Sequence, residues 1–181
     1  YKLRHVFDVS DTNSRAGKEV SIWKLEQRFI EPVRNVLAER YEVDAQESLE
    51  DCLLNVAVTF VNDNYQDYLA ELMEAKAGSL LEKLDEDNTR LQMLTALSYS
   101  VGYMLHIRCG LPGRAYFGNS LDKVCNFNTP EVISILGAAV SDMSEVLLRE
   151  IAVLVQDLQR EERNQNRTFE VPADSRYDVN R

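Results

Sequence analysis

The stretch LQMLTALSYSVGYMLHIRCG, Leu91 to Gly110, decides the fold of this chain. From Leu91 through Ile107 it carries no Asp, Glu, Lys or Arg. Leu94, Leu97, Val101, Met104 and Leu105 recur at helical spacing, while Met93, Tyr103 and Ile107 spread around the cylinder. A helix that is apolar on all sides belongs in the interior, so the pattern predicts a central buried helix over about 89–109. Gly110 and Pro112 end it, the glycine supplying a left-handed cap and the proline barring continuation. Gly102 in mid-helix costs about 1 kcal/mol relative to Ala. With Ser98 one turn earlier, it forms a notch of small residues that lets another helix approach closely.

The segments on either side read as further helices. Glu26 to Tyr41 carries Val33, Val36, Leu37 and Tyr41 on one stripe, and Pro32 is tolerated only in a first turn, which moves the true start towards Glu31. Ser48 followed by Asp51 is an N-cap signal. The buried face behind it is Leu49, Cys52, Leu53, Val56, Ala57, Phe60 and Val61. Asp63-Asn64 interrupts that helix, and Tyr65, Tyr68, Leu69, Leu72 and Met73 carry the next. Asp85 to Asn88 starts the central helix with acids favoured by the macrodipole. Leu111 to Asn128 is the longest irregular stretch, with a helical turn at Ser120 to Val124. Thr129 as cap and Pro130 at the first position then open the last helix, predicted to run to about Arg163. Its stripe is Ile133, Leu136, Val140, Met143, Leu147, Ile151, Leu154 and Leu158.

Tyr1 to Ser10 alternates and then turns β-prone at Val6, Phe7 and Val9, which predicts a strand, with Val20 to Leu25 as a short second one. The expected organisation is therefore mostly α, a helical bundle around the central helix with a small N-terminal β strand or hairpin. Residues 1–25 form the appendage, 26–163 the helical domain, and 164–181 a polar tail or linker. The first residue is Tyr1, which reads as a piece of a longer polypeptide.

At 181 residues the chain is long enough for one domain with a real core. The net charge of −10 argues against a general nucleic-acid-binding surface. Residues 42–88 hold thirteen acids against Lys76 and Lys83, a local −11, whereas residues 1–41 hold eight basic and six acidic side chains. Cys52, Cys109 and Cys125 lack metal-ligand spacing and lie in apolar surroundings, so buried, reduced thiols in a cytoplasmic protein are expected. No membrane-spanning run is present.

Few constellations promise chemistry. His5 and His106 are the only histidines, and HExxH, P-loop, GxSxG and GxGxxG patterns are all missing. Cys109 follows His106 by three positions, either a thiolate-activating pair or, more commonly, two packed core side chains. Asp63, Asp67 and Glu71 fall at helical spacing, where they either cup a cation or a basic partner or form a solvated face. Arg108 and Arg114 bracket Gly110 as an anion site, or Arg108 satisfies the helix C-terminal carbonyls. Tyr99, Tyr103, Tyr116 and Phe117 make an aromatic surface or, by default, core packing. Neither a metal nor a cofactor is expected, nor an enzyme.

Two resemblances bear on function. The opening YKLRHVFDVSDTN, Tyr1 to Asn13, resembles the segment that closes the N-terminal domain of ArdC-type antirestriction proteins. Over nearly the whole chain, VFDVSDTN (Val6 to Asn13), GYML with RCG (Gly102 to Gly110), FNTPEV with LGAAVSD (Phe127 to Asp142), LREIA (Leu148 to Ala152) and NRTF (Asn166 to Phe169) resemble a domain of very large proteins of conjugative plasmids and integrative elements of Firmicutes. That resemblance implies a non-catalytic interaction or scaffold domain of a mobile-element protein linked to conjugation or antirestriction. Its partners would be other domains of the same polypeptide, a basic protein surface or DNA. Ser98 to Gly110 also resembles the helix that carries the third metal ligand in zincin peptidases. Ser98 and Ser100 stand at the ligand-bearing positions, which implies a zincin-derived fold without its metal site. A third expectation is a single-stranded-DNA-binding accessory domain acting through the basic residues of Tyr1 to Arg40.

Overall fold

The computed structural model describes residues 25–44, 46 and 48–169. The expected strands at Tyr1 to Ser10 and Val20 to Leu25 fall almost wholly outside the described residues, and within them there is no strand. The chain forms helices α1 (Ile30–Tyr41), α2 (Leu49–Asn64), α3 (Gln66–Ala75), α4 (Glu86–Arg108), α5 (Gly113–Phe117) and α6 (Pro130–Phe169). Short 3-10 segments, Gln27–Phe29 and Ser120–Asn126, precede α1 and α6. The mostly α bundle expected from periodicity is the observed architecture.

The helix ends follow local chemistry. Pro32 sits in the first turn of α1, where its missing N–H would have had no partner. The helix closes at Glu42, which adopts a left-handed φ of 55°, and the next N–H, from Val43, donates to the Ala38 carbonyl at 3.0 Å. The Ser48 hydroxyl accepts the Asp51 N–H at 3.1 Å, capping α2. Asp85 does the same for α4 through the Asn88 N–H at 2.8 Å. Gly110, at φ 79°, ends α4, and the Leu111 N–H donates back to the His106 carbonyl at 2.9 Å. This pairing is the glycine cap that the sequence called for.

α4 is the axis of the bundle, packed by α2, α6, α5 and the Ser120–Asn126 segment. Met93, Ala96, Leu97, Val101 and Leu105 are sealed from water, each large side chain contributing about 1.5–3 kcal/mol on burial. From Gln92 to Tyr103 no residue is fully exposed. The ends differ from expectation: Leu91, Met104 and Ile107 are 60%, 44% and 51% exposed. An uncharged surface does not by itself summon a neighbour, and even Ile107, which Gly113 of α5 approaches closely, stays exposed.

At Gly102 two neighbouring helices approach the axis closely. A Cβ built there would lie 3.1 Å from Leu54 Cδ1 on α2 and 3.3 Å from Phe117 Cζ on α5. The predicted notch of Ser98 and Gly102 is thus occupied from both sides.

In α6 the buried apolar residues are Val132, Leu136, Ala139, Met143, Leu147, Ile151 and Val155. Ile133, expected in the stripe, is exposed, and Val140, Leu154 and Leu158 only flank the core. The core face takes the small Ala139 because α6 must pack closely there, and a pattern built on large residues drifts off that face. α6 also runs on to Phe169, so residues 164–169 are helical and not part of the expected tail. Polar Asn, Gln and Arg carry no stripe but do not break a helix. Cys52 and Cys109 are buried as expected, whereas Cys125, on the 3-10 segment, is exposed.

Candidate functional site

Helix α3 follows α2 across a break at Tyr65, where the Asn64 side chain donates to the Phe60 carbonyl at 2.8 Å and helps close the α2 end. Asp63 falls on α2, and Asp67 and Glu71 fall one turn apart on α3; all three are exposed. Tyr68 lies between the two α3 acids, and its hydroxyl donates to Asp142 on α6 at 2.8 Å. Burial, the Asp142 hydrogen bond and the negative charges of Asp142, Glu71 and Asp67 push the Tyr68 phenol up to about 12. The acids of α3 and α6 therefore share one negative field that the tyrosine reports. Asp142 was missed in the sequence, because 74 positions separate it from Tyr68. Among the described residues no three His, Cys, Asp or Glu side chains converge to hold a metal ion, so Asp63, Asp67 and Glu71 do not form a cation cup.

A second cluster assembles over the Gly102 notch. Phe117, 3% exposed, is ringed by Tyr99, Tyr103, His106 and Tyr116, with centroids 6.2, 5.8, 4.7 and 5.0 Å away. The default expectation of core packing holds for Phe117, while Tyr116 stays at the rim. The Tyr116 hydroxyl donates to Asp51, which also accepts from Ser48 at 2.7 Å. These bonds, that from Tyr116 first, hold the Asp51 carboxyl below the usual range. They also tie α5 to the N-terminus of α2.

His106 is fully buried. Its Nδ1 lies 2.7 Å from the Gly102 carbonyl and so must carry the proton that is donated. Among the described residues Nε2 meets no hydrogen-bond partner of good geometry, although the Glu50 backbone is near enough to attract a proton on the ring. Burial outweighs that attraction and lowers the imidazole pKa. Burial also pushes the Cys109 thiol up to about 12, against a smaller opposing pull from Arg108. With Nδ1 facing the Gly102 carbonyl and both side chains buried, the geometry matches the packed-core alternative for His106 and Cys109.

Arg108 is the last residue of α4, beside a cleft of about 340 Å³ that Leu25, Ile107, Cys109 and Gly110 also line. A cation in this last turn suits the helix dipole. Arg114 falls on α5, and its side chain lies outside the described residues. The described part of the basic segment is interleaved with acid: Arg28 pairs with Glu26 and Glu162, Arg34 with Glu31, and Arg40 with Glu150. Glu150 accepts the Tyr41 hydroxyl as well, at 2.7 Å. No described helix is long and apolar enough to cross a membrane. Comparison with protein-family models, characterised proteins and solved structures finds no match to this chain.

Proposed function

We propose that this chain is a non-catalytic interaction domain of a cytoplasmic mobile-element protein linked to conjugation or antirestriction. Its working surface is the acidic face of α3 and α6, and its partner is a basic surface on another domain or protein. The observation that carries the reading is the gathering of Asp67, Glu71 and Asp142 about Tyr68. An exposed field of one sign speeds and steers association with the opposite sign. The mobile-element setting draws on the sequence resemblance alone.

The zincin-derived alternative uses the same axis helix. Favouring the non-catalytic reading, Ser98 is 8% exposed and buried in the α4 notch, where a metal ligand would need an open cleft. Single-stranded DNA binding is the less favoured reading, because Arg28, Arg34 and Arg40 each already face a carboxylate.

The test is fluorescence anisotropy of a labelled lysine-rich peptide. Binding should weaken as salt rises and should be lost in the triple variant Asp67→Asn, Glu71→Gln, Asp142→Asn. Neutralising Glu82 and Asp87 should leave it in place. Equal binding by the two variants would refute the assignment, and binding of single-stranded DNA at low salt would favour the nucleic-acid reading.

A further inference from the structure

Opposite its buried Leu147, α6 presents a second pattern. Glu131, Ser134, Ala138, Ser141, Glu145, Arg149, Gln156, Arg160 and Arg163 are exposed, and with the half-buried Ala152 they recur at three- and four-residue spacing. Acid and small side chains occupy the first half of this stripe, and basic ones the second. Positions whose numbers add to 294 are complementary: Glu131 with Arg163, Ser134 with Arg160, and Glu145 with Arg149. A stripe with that symmetry fits itself when two helices run antiparallel about a twofold axis near Leu147.

One edge of the stripe borders a groove of about 440 Å³ between α6 and α4, lined by Met104, Ser141, Ser144, Leu148 and Ala152. Ser144 is 2% exposed, and its hydroxyl has no hydrogen-bond partner among the described residues. Met104 stands 44% exposed on the opposite wall. The groove therefore leaves an apolar wall uncovered at Met104.

We propose that a second copy of this chain covers this surface, pairing α6 with α6 antiparallel so that Glu145 of each copy meets Arg149 of the other. The small Ser134, Ala138 and Ser141 let the helix axes approach, and Val153, 50% exposed, falls opposite the partner's Ser141. The contact from Glu131 to Arg163 is ~48 Å long at 1.5 Å per residue. Over a helix width of about 11 Å on two copies this buries roughly 1,000 Å², the least that a specific interface needs. Glu145 and Arg149 now pair within one chain as an i,i+4 couple with side chains 65% and 72% exposed. Such a pair holds little energy of its own and is free to exchange partners.

The test is the solution mass of the full chain by light scattering. The wild type should appear at twice its 20.7 kDa, and E145R and R149E should each be monomeric, with unchanged circular dichroism. An equimolar mixture of the two variants should restore the dimer, because it recreates both opposite-sign contacts. A monomeric wild type at high micromolar concentration overturns the proposal. In that case, oxidative footprinting that finds Met104 protected assigns the groove to another part of the same chain. A dimer that survives in E145R, or a mixture that stays monomeric, equally overturns it.

Discussion

Gly102 offers the sharpest test of how the bundle is held. Replacing it with Ala removes the mid-helix glycine penalty, a gain of about 1 kcal/mol. Against that, the new Cβ would stand 3.1 Å from Leu54 Cδ1 and 3.3 and 3.4 Å from the Phe117 ring. Leu54 is half-buried and its methyl is the end of a flexible side chain, so it can give way. Phe117 cannot yield so easily, because four aromatic rings surround it. Displacing it by a few tenths of an ångström costs something near the low end of the 1–3 kcal/mol typical of overpacking. Gly102→Ala should therefore come out within about 1 kcal/mol of wild type. Gly102→Leu adds three further carbons in the same direction and should fall about 3 kcal/mol below Gly102→Ala. The assay is urea denaturation followed by circular dichroism, comparing midpoints at constant slope. Near-ultraviolet circular dichroism of Tyr99, Tyr103 and Tyr116 should change in the Leu variant and not in the Ala variant. If Gly102→Leu unfolds at the same midpoint as Gly102→Ala, α2 and α5 do not close on the axis there and the packing argument fails.

Two further outcomes follow from single residues. Glu42 holds a left-handed backbone at φ 55°, a conformation that costs a non-glycine residue about 1 kcal/mol. Glu42→Gly should thus raise stability by roughly that amount, and a lower denaturation midpoint would contradict the strain. His106 has a lowered pKa, first through burial, so the unfolded chain takes up the proton before the folded one does. Stability is then full above the unfolded value near 6.5 and falls as the pH drops below it, until the folded histidine also titrates. His106→Asn should flatten the decline in denaturation midpoint between about pH 7 and pH 5.5; an unchanged slope would assign that decline to carboxylates alone.

All the helices but α5, which falls in the stretch expected to be irregular, were legible in the sequence with their order and most of their ends, because they rest on local causes. Ser48, Asp85 and Thr129 cap with their own side chains, Gly110 alone tolerates its φ, and Pro32 and Pro130 are confined to first turns. The α2 face from Leu49 to Val61 was also readable, since one helix in contact with the core imposes a simple 3.6-residue period. Ser98 and Gly102 announced a close approach without saying what approaches.

What only the tertiary structure decided is which neighbours arrive. Leu91, Met104 and Ile107 are as apolar as the sealed Leu97 and Leu105, yet each stays exposed, even Ile107, which Gly113 of α5 approaches closely. Tyr68 meets Asp142 and Tyr116 meets Asp51 over separations of 74 and 65 residues, and no periodicity encodes such pairs. A local pattern sets the faces that a helix offers, through the fixed 100° turn per residue. The choice among those faces is made by excluded volume and hydrogen bonding between segments far apart in the chain.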